Sequence, residues 1–185
     1  MVFGVILAAT AAAAFSGGAQ PCSPAALGRP ARGLYRIRGG LSASESFVSQ
    51  PALTFAGAQL AMEAATAEAD AHGWKVTIVV ADAGGTPLLL ARDAFAATVE
   101  IAMGKARSAA LFARPTAELE AQANVIDGAG RTSFLSAPFV TMRGGVPIVV
   151  GGAVVGAVGV SGVRAEQDEQ IALRAVAAVT GSEPS

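Results

Sequence analysis

Cysteine is nearly absent from this sequence, with Cys22 the only one. From residue 51 onward there is therefore no disulfide and no cysteine-based metal site. Histidine is as scarce. His72 stands alone at the end of an Ala-rich stretch, and Ser161 has no histidine to activate it, which excludes a serine hydrolase of standard form. No H-E-x-x-H, phosphate-binding G-x-x-x-x-G-K or G-x-G-x-x-G pattern occurs. Aromatic residues make up only 5% of the chain, and no run from residue 45 onward alternates aromatic with basic residues, so the stacking platforms of nucleic-acid binders are missing there. A basic excess is missing too. The formal net charge is −1, and residues 45–185 carry all fourteen acids against nine Lys/Arg, a balance of −5. A mildly acidic domain argues against a nucleic-acid partner.

Acids are lacking altogether in residues 1–44, which hold Arg29, Arg32, Arg36 and Arg38. This stretch opens with an uncharged apolar run, Val2–Ala14, too short for a stable membrane span. Ala12 and Ala14 form a small-x-small pattern before Phe15, and the following Ser-, Pro-, Gly- and Arg-containing segment has a transit-like composition. Residues 1–50 are thus expected to be a leader outside the fold, residues 51–181 a single domain, and residues 182–185 a tail. The leader admits three readings: simple secretion, delivery to a plastid, or an extension without an address, which leaves the protein cytoplasmic.

What is abundant is small and apolar. Hydrophobic residues reach 52% and glycines number 22, enough for a packed core but with helices that must approach closely. Thr54 is placed to cap a helix over 55–72, with Leu60, Ala61, Ala64, Ala65 and Ala69 as its apolar face and Gly73 as its stop. The β-branched run 75–81 reads as a central strand, Asp82-Ala83-Gly84-Gly85 as a turn and 88–92 as the returning strand. Thr98 is expected to cap a second helix to about Phe112, and Thr116 a short third one. Residues 124–137 lack a period and read as a loop, with Phe134 and Leu135 tucked in. Residues 139–142 read as a short strand. Residues 146–150 and 153–160 form a hairpin across Gly151-Gly152, where both residues can take positive φ. A last helix covers 165–180. Hairpin connections imply an antiparallel sheet covered by helices, an α+β domain.

Six segments in one order, Ala81-Asp82-Ala83-Gly84-Gly85, Lys105-Ala106-Arg107-Ser108-Ala109-Ala110, Arg114-Pro115-Thr116, Gly144-Gly145-Val146-Pro147-Ile148, Gly159-Val160-Ser161-Gly162 and Glu166-Gln167-Asp168-Glu169, give residues 53–180 a resemblance to the GlcG/HbpS-like family of haem-binding or haem-degrading proteins, which is related to the C-terminal domain of PduO-type corrinoid proteins. The resemblance implies a profilin-like fold, a five-stranded antiparallel sheet with helices on both faces, assembly into homo-oligomers, and a tetrapyrrole ligand: haem first, a corrinoid second.

Six residues are candidates for the ligand site: Thr116, Arg114, Lys105, Asp82, Gly145 and Ser161. Thr116 stands at a helix start, where free N–H groups favour an anion, and could give a weak oxygen ligand; it reads equally as a helix cap. Arg114 suits a propionate, or is simply solvated. Lys105, on an otherwise apolar helix face, requires a carboxylate or an anion, and Asp82 could supply the carboxylate, as a structural pair or beside a ligand. Gly144, Gly145, Ser161 and Gly162 would line the same end of the sheet. Glu166, Asp168 and Glu169 suggest helix-start surface charge before a metal site, and Met62, Met103 and Met142 suggest packing. Three functions stay open: a tetrapyrrole-binding protein, an enzyme or accessory protein acting on a small anionic metabolite through Lys105, Asp82 and the glycine hairpin, and a purely structural module.

Overall fold

The computed structural model describes residues 49–95, 97–124 and 136–182. The leader assigned to 1–50 lies outside these residues except at its last two positions, as do most of the tail and the loop residues Phe134 and Leu135. The chain order is α1 (Phe55–His72), β1 (Thr77–Asp82), β2 (Pro87–Arg92), α2 (Thr98–Phe112), α3 (Thr116–Asn124), β3 (Gly145–Val150), β4 (Ala153–Ser161) and α4 (Ala165–Thr180). The strands form one antiparallel sheet in the order β2-β1-β4-β3.

Both ends of α1 follow local chemistry. The Thr54 hydroxyl accepts the Gly57 N–H at 3.1 Å, and Gly73 takes φ 67° after the last turn, a conformation open to glycine without a Cβ clash. Its buried stripe is Ala58, Ala61, Ala65 and Ala69. Leu60, expected on that stripe, is 47% exposed, because position 58 rather than 60 continues the spacing of 61, 65 and 69 on one helix face.

The sheet is covered on both sides, which explains why β1 reads as a continuous apolar run. Ile78 and Val80 join Val146, Ile148, Val158 and Val160 against the alanines of α1 and against Ile171, Ala172 and Ala175 of α4. Val79 and Ala81 face the other way and pack with Ala102 and Ala106 of α2. Ala157 meets Ala109 and Ala110 on that second side. At Gly159 a Cβ would stand 2.2 Å from the Ala102 carbonyl oxygen and 2.5 Å from the Ala106 nitrogen, so the backbone of α2 lies directly on the sheet there.

Two expectations are corrected. Among the described residues the sheet has four strands, not five. The 139–142 segment forms no ladder and packs on α2 instead: Phe139 sets its ring edge-on to Phe112 at 4.9 Å, and Val140 fills the space over Gly104, where a Cβ would be 2.2 Å from Val140 Cγ2. Thr98 does not cap α2. It is the first helical residue, and its buried hydroxyl donates to the Phe95 carbonyl and lies 2.6 Å from that of Thr77. Among the described residues no helix is long and apolar enough to cross a membrane.

Candidate functional site

The chemistry-bearing residues gather where α2, α3 and α4 meet the Gly145 end of β3 and the Ser161 end of β4. Lys105 is the centre. Its side chain is 1% exposed, and Nζ donates to Asp168 Oδ2 at 2.7 Å and to the Val160 carbonyl at 2.8 Å. Asp168 lies in the first turn of α4, buried, and its Oδ1 accepts the Val163 N–H at 3.2 Å. Burial pushes the Asp168 carboxyl above its ordinary value, against the opposing pull of Lys105 and of the Val163 and Gly162 N–H groups.

Glycine makes this meeting possible. A Cβ on Gly144, which has φ 118°, would stand 2.7 Å from Asp168 Cβ and 2.9 Å from Lys105 Nζ. One on Gly145 would stand 2.4 Å from the Lys105 carbonyl oxygen. After α2 the chain turns at Ala113, φ 54°, and α3 begins at Thr116, fully buried, whose hydroxyl accepts the Gly145 N–H at 2.8 Å. Thr116 thus ties α3 to the start of β3. Arg143, just before Gly144, pairs with Glu169 of α4 and donates its backbone N–H to Glu120 of α3. Ser161 is buried one residue beyond the Lys105 acceptor Val160.

Four of the six sequence candidates, Lys105, Thr116, Gly145 and Ser161, therefore come together, and two do not. Asp82 pairs with Gly156 of β4, four residues and about 13 Å along the strand from Val160. Its Oδ1 accepts the Gly84 and Thr86 N–H groups, each at 2.9 Å, closing its own turn, so the partner of Lys105 is Asp168 instead. Arg114 is exposed in the α2–α3 turn. Asp168, Glu169, Arg143 and Glu120 were not singled out as partners from sequence. The available signal was that β4 ends where α4 begins, which sets the first turn of α4 beside the end of β4. His72 sits on the opposite side of the sheet from α2, its ring stacked on Trp74 at 4.2 Å and its Nδ1 3.0 Å from the Glu68 carbonyl oxygen. Met62 and Met103 pack on the two core layers as expected; Met142 does not, being 51% exposed. No cluster of three metal-ligating side chains occurs among the described residues.

These features define a small antiparallel α+β domain whose buried Lys105, Asp168 and Glu169 are paired within the chain, while the buried Ser108 hydroxyl has no hydrogen-bond partner. Over residues 53–177 the chain matches the family described as haem degrading protein HbpS-like, and it belongs to that family. It is 46% identical over 97 residues to Protein GlcG of Escherichia coli strain K12, covering 51% of this chain and 69% of that protein. The crystal structure of a PduOC:heme complex superposes with a TM-score of 0.62 at 34% identity, over 69% of this chain and 95% of that one. The crystal structure of HbpS gives a TM-score of 0.66 at 31% identity, over 77% and 99%.

Proposed function

We propose that this protein binds haem, or a related tetrapyrrole such as a corrinoid, at a crevice between copies of a profilin-like domain, holding it by its ring faces and carboxylates. The observation that carries the reading is the shared fold with a protein whose structure holds haem, at 34% identity over 95% of that chain.

The residues on the outer side of α2 fit such a ligand. Arg107 and Leu111 are exposed at i and i+4 on α2, and Arg114 is exposed in the turn that follows the left-handed Ala113. Two exposed guanidinium groups and an exposed leucine on this segment suit a flat apolar molecule bearing carboxylates. The Arg107 stem lies over Gly85, beside the turn closed by Asp82. Behind this face, Lys105, Thr116, Gly145 and Ser161 act as a frame: they fix α2 and α3 on the sheet. No histidine lies on this side, and the Thr116 hydroxyl is engaged by Gly145, so binding rests on the carboxylates and ring faces. A bound haem would supply iron-centred redox chemistry, and the chain supplies charge, apolar surface and rigidity. The small-metabolite reading relied on Lys105 acting with Asp82, and these have separate partners at separate places.

Titration of the full-length protein with haemin tests this. A saturable Soret shift is expected, and Arg107→Glu and Arg114→Glu should each weaken it by roughly tenfold, as loss of a charge-assisted contact and its replacement by repulsion would. A titration without saturation, or one that both variants leave unchanged, overturns the assignment.

A further inference from the structure

On the other side of the sheet from α2, a cleft of about 130 Å³ opens between the C-terminal half of α1 and the edge strand β2. Its floor is apolar, formed by Ala69, Val76, Ile78 and Ala91, and Trp74 adds an indole wall. An apolar cavity of about 150 Å³ accommodates benzene, so this space suits a group of four to six carbons.

The mouth carries carboxylates. Asp70 and Asp93 line it, and the Lys75 ammonium donates to Asp93 Oδ2 there. The Asp93 hydrogen bond and charge raise the Lys75 pKa, with a smaller contribution from the Asp70 charge. The other polar residues of the lining do not offset this. The Thr66 hydroxyl donates to the Met62 carbonyl at 2.8 Å. Arg92 stands opposite Thr77, whose hydroxyl meets Thr98 of α2, so strand alternation directs its side chain to the far face. What remains is an apolar floor, an aromatic wall and two carboxylates, of which Asp93 already holds an ammonium group of the chain itself.

We propose that this cleft binds a short aliphatic ammonium ion, its alkyl chain on the floor and its charged head between Asp70 and Asp93, in the position taken by Lys75. The exchange is cheap because Lys75 and Asp93 are 70% and 65% exposed, and an ion pair so placed contributes at most about 1 kcal/mol. An indole wall also favours a cation over an anion.

Trp74 is the only tryptophan, so its fluorescence reports this cleft. The full-length protein is titrated with n-butylammonium, n-butanol and butyrate at fixed pH and ionic strength. Saturable binding of n-butylammonium, tighter than either control, is expected. Asp70→Asn and Asp93→Asn should each weaken it by roughly two- to fivefold, and Lys75→Ala should tighten it by a similar factor, the range of a partly exposed charge contact. All three positions are exposed, and circular dichroism confirms folding of each variant. Equal binding of butanol and butylammonium overturns the proposal, as does a Lys75→Ala variant that binds no more tightly. Neither result bears on haemin binding across the sheet.

Discussion

Lys105 shows what one buried charge demands. An ammonium at 1% exposure needs a carboxylate, and that need was visible in the sequence because every neighbour on its helix face is small or apolar. Which carboxylate answered was not visible. Asp82 is closer in sequence, but short-range geometry turns it onto its own N–H groups, whereas Asp168 arrives from 63 positions away through the docking of α4. Replacing Lys105 by Met should cost about 3–5 kcal/mol in urea unfolding, since it strands a buried carboxylate, and adding Asp168→Leu should restore much of that loss. The pH dependence follows from the same residue. The folded Asp168 carboxyl sits above its unfolded value, so in the window between the two the folded state holds more protons than the unfolded one. Its contribution to stability therefore falls as pH rises through that window. Unfolding free energies measured across pH should show this downward component in the parent protein, and Asp168→Asn should lack it. An identical pH slope in the two would refute the assignment.

Elements were legible where their signals are local. The cap and stop of α1, the Gly151-Gly152 hairpin with φ 58° and 81°, and the helix over Ala165–Thr180 all follow from a few neighbouring residues. Thr98 misled because a threonine at a helix start can cap or be buried within the first turn, and only Thr77, brought in by the sheet, decides between them. The 139–142 run misled for a related reason: so short a mostly apolar run does not distinguish a ladder from packing on a helix. The docking of α2 gives a sharp prediction at this scale. Gly159→Ala places a methyl against backbone atoms of Ala102 and Ala106, which cannot swing aside as a side chain does. A loss of about 3 kcal/mol is expected, at the upper end of ordinary overpacking, read as a lower midpoint in thermal melting. A change under about 0.5 kcal/mol, the scale of an ordinary surface substitution, would mean that α2 does not rest on the sheet at this point.

At the scale of the molecule, one sheet serves two cores. Strands β1 and β4 lie at its centre, paired on both edges and buried between α1/α4 and α2, while β2 is an edge strand with a half-open surface. Amide hydrogen exchange should follow that order, slowest in β1 and β4 and faster in β2; equal protection of β2 and β4 would contradict it. The fold class was open to sequence reasoning because hairpins and helix periods are short-range. The site was open only in part: its glycines and Lys105 stand out, but its acids look like ordinary helix-start charges until the sheet closes over them.

Gly145 and Gly159 face each other across β3 and β4 as register partners, and both look onto the backbone of α2 near Lys105 and Ala106. Together they form a bare window in the sheet, and the window exists only when the two strands are aligned. A slip of one residue would bring the Val158 or Val160 side chain under the helix and close it. The helix thus works as a proofreader of strand alignment, seating fully on the correct pairing and being held off by its nearest competitors.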